Sequence, residues 1–244
     1  MLIEIGQVEA LFRYPVKSMR GEPLESANLG WHGIEGDRRL ALRRMNDCGG
    51  FPWLTAGKLP DLILFTPRRR ADDPPDDPPQ LIRTPDGEEL PLFGGDLAAE
   101  VERRCGAPVE MMHMKHGIFD DAAISVIALD TVHEITRLAK LTPDVRRFRP
   151  NIVVSSLRPV AFQEDEWIGG ALSFGDSHDA PTVAVTAHDI RCSMINLDPD
   201  TAKPAPQMLK AVVGANQNNA GIYGTVTRTG RLTVGQPILL RTAT

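Results

Sequence analysis

Short runs of apolar residues, interrupted by glycine, proline or polar turn residues, make up most of the chain. These runs have the length of strands, and many are rich in valine, isoleucine and threonine, which favour extended backbone over helix. The turn residues between them indicate where each strand ends. We therefore predict strands at residues 8–14, 40–43, 62–66, 81–84, 124–127, 152–155, 182–186, 222–226, 231–235 and 237–240.

Three segments carry a helical pattern instead. Asp96 is a candidate N-cap for a helix in which Leu97, Val101 and Cys105 form an apolar stripe at every fourth position. Gly106 follows as a stop signal, and the stripe explains Cys105 as a core residue. The other two helices are predicted after Asp130 and around residues 206–213.

Many short strands with few helices are typical of a mixed, mainly β fold built as a barrel. Strands and helices do not alternate regularly, which argues against a doubly wound sheet. Residues 71–80 contain four prolines and four aspartates, so we predict a solvent loop that joins two neighbouring strands. The irregular, charged segment at residues 111–123 is the predicted boundary between two domains.

Composition narrows the classes of function. The 244 residues are 42% hydrophobic and 24% charged, which is ordinary for a globular protein. No stretch approaches the roughly 18 apolar residues of a membrane span. The formal net charge of −5 disfavours nucleic acid or an acidic membrane as a partner. With only three cysteines and no signal-peptide pattern, we expect a soluble, cytoplasmic protein without disulfides.

Several familiar site motifs are absent from the sequence. It has no P-loop, no Rossmann glycine motif, no HExxH and no paired CxxC. Three short basic segments remain, at residues 14–18, 33–39 and 146–151. One such segment alone is most simply a solvated turn. Three of them in an acidic protein indicate a localised site for an anion such as phosphate.

Two cysteines lie outside the helical stripe. Cys192 follows a predicted strand beside Arg191, in a loop where positive potential would favour the thiolate. A thiolate is both a nucleophile and a ligand for soft metals. Cys48 lies in a glycine-rich turn without an adjacent cation. The chemistry therefore favours Cys192 as the reactive sulfur.

Taken in order, these segments resemble the MOSC family, named after the carboxyl-terminal domain of molybdenum cofactor sulfurase. The matching motifs are YPVKS, GDR, RFRPN, RC followed by a DP turn, and a glycine-punctuated pair of strands near residue 230. The resemblance implies an N-terminal β-barrel-like domain over residues 1–115 and a MOSC β-barrel domain with a few helices over residues 120–242. In architecture the chain is similar to the catalytic part of the amidoxime-reducing component.

The resemblance also implies a molybdenum cofactor, a Mo-pyranopterin, and the residues that bind it. Cys192 matches the cysteine that ligates molybdenum in the family, and it is therefore the expected catalytic residue. Two family positions differ here: an arginine is missing within residues 55–58, and Gln236 replaces an acidic residue. The positions that hold the pyranopterin and its phosphate are matched by Lys17, Ser18, Arg38, Arg149, Asn151 and, as a survivor of a Thr/Ser pair, Thr131.

The activity implied by the resemblance is the reduction of N-hydroxylated or N-oxide small molecules. Electrons would come from a separate donor protein of the iron–sulfur or flavin type. An alternative is a non-catalytic carrier of molybdenum cofactor or of sulfur, which would hold a Cys192 persulfide supplied by a partner desulfurase. A third is a MOSC-fold protein that binds another anion. Neither nucleic acid nor a membrane is an expected partner.

Overall fold

The computed structural model describes residues 2–70, 72–74 and 77–242. Within these residues the fold has sixteen strands, three α-helices and several short 3-10 helices. The helices are α1 (Gly95–Cys105), α2 (Leu129–Ala139) and α3 (Gln207–Asn216). The strands are β1 (Leu2–Arg13), β2 (Glu22–Leu24), β3 (Ser26–Gly30), β4 (Gly33–Ile34), β5 (Leu40–Arg44), β6 (Thr66–Arg68), β7 (Leu81–Arg83), β8 (Glu89–Pro91), β9 (Val109–His113), β10 (Ile124–Ala128), β11 (Ile152–Ser156), β12 (Ala171–Phe174), β13 (Thr182–Ile190), β14 (Asn219–Arg228), β15 (Gly230–Thr233) and β16 (Pro237–Arg241).

Seven strands form a closed barrel. Their order around the ring is β11, β10, β14, β13, β12, β16 and β1, and the pairing of β1 with β11 closes it. All neighbours are antiparallel except β10 and β11. Inward side chains such as Val8, Leu172 and Ile222 are fully buried and form the barrel core. The prediction of a mainly β, barrel-type fold with few helices is confirmed.

Helices α2 and α3 pack on one side of the barrel. Val132 and Ile135 of α2 and Met208 and Val212 of α3 are fully buried there against strand residues such as Val153. Such burial of apolar stripes is the main source of stability for helices of this length. The two helices thus cover the barrel wall formed by β10 and β11.

The N-terminal half builds a second core around smaller sheets. Strands β5 and β9 pair, and β6, β7 and β8 form a three-stranded sheet. Leu97 and Val101 of α1 pack into this core, and Cys105 contacts it while half-buried, which confirms the predicted stripe. Strand β3 pairs with β15, and β1 belongs to the barrel, so the N-terminal half is joined to the C-terminal half by hydrogen bonds. The predicted division between residues 115 and 120 stays a prediction.

Three local expectations are corrected. Residues predicted as a strand at 62–66 lie mostly in a 3-10 helix, Pro60–Leu64, because proline at its first position fixes a helical φ. Helix α1 begins after Gly94 rather than at Asp96, which lies in its first turn. Helix α2 begins after Ala128, and Asp130 is not its cap.

The acidic proline segment joins two paired strands, as predicted, because β6 and β7 are antiparallel neighbours. Residues 71, 75 and 76 of that segment lie outside the described residues. Within the described parts of the chain, no helix is both long and apolar enough to cross a bilayer.

Candidate functional site

A cavity of about 390 Å³, here termed the central cavity, is lined by residues from both halves of the chain. The three basic segments predicted from the sequence all contribute to it. Arg38 and Asn151, which are 113 positions apart, are hydrogen-bonded at 3.3 Å. The structure therefore brings together six of the predicted site residues, namely Lys17, Ser18, Arg38, Arg149, Asn151 and Cys192.

The turn after β1 is fixed by one buried carboxylate. Asp37 is fully buried and accepts a hydrogen bond of 2.7 Å from the backbone N–H of Tyr14. Its other oxygen pairs with the guanidinium of Arg38. Burial is the largest single influence and would lower the pKa of Arg38, but the charge and hydrogen bond of Asp37, together with the nearby acidic groups of Tyr14 and Asp120, raise it overall. Asp37 thereby ties the first basic segment to the second.

Lys17 lies at the bottom of that turn, with 4% of its surface exposed. Its ammonium donates to Asp120 Oδ1 at 2.7 Å and to the Ile118 carbonyl at 3.1 Å. Burial lowers the pKa of Lys17, and the Asp120 charge partly restores it. The Asp120 side chain is 64% exposed, so an oxyanion of a ligand can exchange with it at the ammonium.

Arg38 and Arg149 both stack on the ring of Tyr14, with guanidinium carbons 4.8 and 4.2 Å from its centroid. Arg149 donates to the Met19 carbonyl at 2.7 Å and has no carboxylate partner among the described residues. Burial, together with the nearby charge of Arg38, lowers the pKa of Arg149 to about 10. At neutral pH Arg149 is a half-buried cation without an ion-pair partner among the described residues.

Three residues of this site hold backbone conformations that side chains rarely adopt. Ser18, Arg38 and Arg149 have φ values of 64°, 49° and 51°. Left-handed backbone costs free energy in residues other than glycine, and it persists where surrounding contacts impose it. Three such residues at one cavity indicate that contacts within the fold hold these side chains in place.

Asn151 connects the cations to the barrel. It is 1% exposed, and its amide oxygen accepts hydrogen bonds from the Ser125 N–H at 3.1 Å and from Arg38. Its amide nitrogen donates to the Phe12 carbonyl. Asn151 therefore orients Arg38 rather than standing free for a ligand.

Cys192 is exposed in the loop after β13 and lines the central cavity. The neighbouring Arg191 has a different role from the one predicted. Its guanidinium pairs with Asp189 at 2.8 Å and donates to the carbonyls of Ala220 and Phe148 at 2.6 and 2.7 Å. Arg191 thus holds the cysteine loop against the barrel, and its charge is balanced by Asp189.

Sequence reasoning missed a buried polar network in the cavity wall. Asp189 is 2% exposed and accepts a hydrogen bond of 2.8 Å from Ser125, and the Tyr223 hydroxyl also bonds to it. Burial raises the pKa of Asp189, opposed mainly by Arg191. Burial and the Asp189 charge raise the pKa of Tyr223. The two partners of Asp189 lie on distant strands, so only its spacing to Cys192 was visible in the sequence.

Two exposed apolar side chains are among the residues that line the cavity. Phe51 and Ile190 are 47% and 65% exposed, respectively, and both face it. Exposed apolar groups beside a polar cavity are suited to contact an organic ligand.

Thr131 is the one predicted site residue that lies elsewhere. It is fully buried on α2, where its hydroxyl donates to Glu164 at 2.8 Å and accepts from the Phe162 N–H at 2.7 Å. Both hydrogen bonds join α2 to the 3-10 helix Gln163–Trp167. Thr131 therefore makes structural hydrogen bonds outside the central cavity, and its assignment to cofactor binding stays a prediction.

Among the described residues, no three histidine, cysteine, aspartate or glutamate side chains converge as a metal site. What the central cavity offers is one thiol, that of Cys192, beside several cations. That donor set suits a metal carried by an anionic organic group better than a bare ion.

The chain matches two family descriptions: "MOSC N-terminal beta barrel domain" over residues 5–121 and "MOSC domain" over residues 113–239. Among solved structures, it is similar to the YUAD protein from Bacillus subtilis, with 14% identity, a TM-score of 0.55, and coverage of 100% of this chain and 99% of that one. A structure titled a hypothetical protein shares 13% identity over 98% of this chain and 69% of that one, with a TM-score of 0.45. No curated protein matches.

Proposed function

The chain belongs to the MOSC family, and from this membership together with the central cavity we propose that it is a molybdenum-cofactor-dependent reductase of N-hydroxylated or N-oxide compounds. The observation that supports this most directly is the presence in one cavity of an exposed cysteine and of Arg149, a half-buried cation without an ion-pair partner among the described residues. A pyranopterin phosphate needs the cation, and molybdenum favours a thiolate ligand.

The residues present fit such a group. Arg149 lacks a carboxylate partner within the described residues, and Lys17 is paired only with the exposed end of Asp120. A phosphate therefore gains two charge-assisted contacts without breaking a buried ion pair. Arg38 and Ser18 complete the cradle, and Cys192 is the one cysteine among the residues that line it.

When bound, the cofactor supplies the two-electron redox chemistry. The protein's own part is to bind the anionic group, to present the Cys192 sulfur and to receive the substrate. Phe51 and Ile190 are placed to contact the organic body of the substrate. The overall reaction converts N–OH to N–H and water with two protons and two electrons. We assign the electrons to a separate iron–sulfur or flavin protein, and we place the protein in the cytoplasm.

The decisive experiment starts from protein expressed in a host supplied with molybdate. We expect molybdenum and pterin in near-stoichiometric amounts, and reduction of an amidoxime with reduced methyl viologen as the electron source. Cys192→Ser will abolish turnover with an unchanged melting temperature, because a hydroxyl is a hard and poorly ionised ligand. The matched control is Cys48→Ser, since Cys48 is also exposed but does not line the cavity.

Absence of pterin from the purified protein, or full activity of the Cys192→Ser variant, would refute the proposal. The exposure of Cys192 also favours a second candidate, a carrier that holds a persulfide delivered by a desulfurase, because a partner enzyme can reach the sulfur. Labile sulfur released from Cys192 by cyanide, with no turnover of the amidoxime, would select that function instead.

A further inference from the structure

A second cavity, of about 300 Å³, adjoins the central cavity and shares Arg147, Arg149 and Met194 with it. We term it the side cavity. Its walls come from both halves of the chain and are mostly apolar. They include Phe12, Pro23, Ile63, Leu197 and Pro199.

The polar atoms beside the side cavity have unmet hydrogen-bonding capacity. Tyr14 lines this cavity and not the central one, and it is 2% exposed. Its hydroxyl has no hydrogen-bond partner among the described residues, and the same holds for the Nε atoms of Arg20 and Arg147. Burial raises the pKa of Tyr14 to about 12, so the hydroxyl keeps its proton at neutral pH. All three groups can donate, and buried donors normally have acceptors.

The charges around the side cavity do not cancel. Arg20 and Arg146 pair with Asp200, and Arg147 pairs with Asp198. Arg149 is left without a carboxylate in the described part of the chain. The side cavity therefore combines apolar walls, one excess positive charge and a free hydroxyl donor.

We propose that the side cavity binds a small monoanion with a compact apolar body, such as an aromatic or branched aliphatic carboxylate. The carboxylate accepts hydrogen bonds from the Tyr14 hydroxyl and from Arg149, and the apolar body lies against Ile63 and Leu197. A volume of about 300 Å³ admits a single ring with its substituent and excludes large ligands. This site goes beyond the proposed reductase function. Because Arg149 borders both cavities, a phosphate in the central cavity and a carboxylate in the side cavity would share its charge.

The test uses benzoate as the probe and the full chain as the protein. Calorimetry will show binding of benzoate, and the neutral benzamide will bind at least tenfold more weakly because it lacks the charge. Methyl NMR then locates the probe. Ile63 and Leu197, which line only the side cavity, will shift, whereas Ile190, which lines only the central cavity, will not.

Tyr14→Phe isolates the donor. Because the hydroxyl has no partner in the free protein, we expect an unchanged melting temperature and about tenfold weaker benzoate binding, the size of one hydrogen bond to a charged group. Ile190→Ala is the control and will leave benzoate affinity unchanged.

Three results would each overturn the proposal. They are the absence of benzoate binding, shifts at Ile190 in place of Ile63 and Leu197, and equal affinity of the wild type and the Tyr14→Phe variant. If the Tyr14→Phe variant has a lowered melting temperature, the test rests on the affinities of the wild type for benzoate and benzamide. Equal affinities for the two would refute a carboxylate site.

Discussion

Glu164→Gln should stabilise the protein at alkaline pH and leave its stability unchanged at acidic pH. Glu164 is fully buried on the 3-10 helix Gln163–Trp167, which packs against the start of α2. Its carboxylate accepts hydrogen bonds there from the Ala128 N–H at 3.3 Å and from the Thr131 hydroxyl at 2.8 Å. Burial raises its pKa to about 7, because two hydrogen bonds do not replace the water lost by the ion. Glutamine has nearly the same shape and carries no charge.

The magnitude follows from the shift. An ordinary glutamate pKa of 4.5 raised to about 7 corresponds to about 3 kcal/mol. Below pH 4.5 the carboxyl is neutral in both folded and unfolded chains, and it imposes no penalty. Between pH 4.5 and 7 the unfolded chain loses its proton while the folded chain keeps it, and above pH 7 the folded chain must hold a buried charge. The stability associated with the neutral form is lost over that window.

Reversible urea unfolding at pH 5 and pH 8 measures the effect. The variant should gain about 2–3 kcal/mol over the wild type at pH 8, or roughly 4–12 °C in melting temperature. At pH 5 the gain should fall to a small fraction of that. Glu166→Gln is the matched control, since Glu166 lies on the same 3-10 helix with a side chain 70% exposed. A variant of Glu164 that is less stable than the wild type at both pH values would show that the ionised carboxylate stabilises the fold, and the reasoning would fail.

Two further predictions concern the core and the anion site. Cys105→Ala should lower the free energy of unfolding by about 1–2 kcal/mol, because it truncates a side chain packed on the N-terminal core. Activity per folded molecule should be unchanged. Loss of turnover at an unchanged melting temperature would contradict this prediction. Lys17→Ala and Arg149→Ala should each weaken cofactor binding roughly tenfold to a hundredfold, and the double variant should be non-additive because both hold one rigid ligand. Pterin content per folded protein measures this, and full occupancy in either single variant removes that residue from the site.

The sequence predicted the central cavity better than its surroundings. Lys17, Arg38 and Arg149 stand in short basic turns whose order is itself a signal, so their convergence could be anticipated. Asp189 could not be, because its partner Ser125 is 64 positions away and single buried carboxylates leave no local pattern. Thr131 was expected in the central cavity but lies outside it, because a hydroxyl at the start of a helix serves a structural hydrogen bond as readily as a ligand.

The fold, too, was predicted in part from the sequence. Apolar runs located most strands, because strand residues alternate between core and surface or are wholly buried. The strand predicted at residues 62–66 was wrong, because apolar side chains can be buried against the N-terminal core from a 3-10 helix as well as from a strand. The side cavity was not anticipated either, because it depends on Phe12, Ile63 and Leu197 meeting from three separate parts of the chain.

The barrel seam bears on how this protein is made in the cell. Strand β1 is held between β11 and β16, and its register pairs Leu2 with Arg241. During synthesis, β1 leaves the ribosome long before β11 and β16 exist. Only its last residues, Leu11 to Arg13, can pair early, with β2, so the rest of the strand lacks its partners in the meantime. Contacts of such large sequence separation slow folding and expose strand edges to aggregation. We therefore expect that closure of the barrel at β1 is a late and slow step when the protein recovers from denaturation.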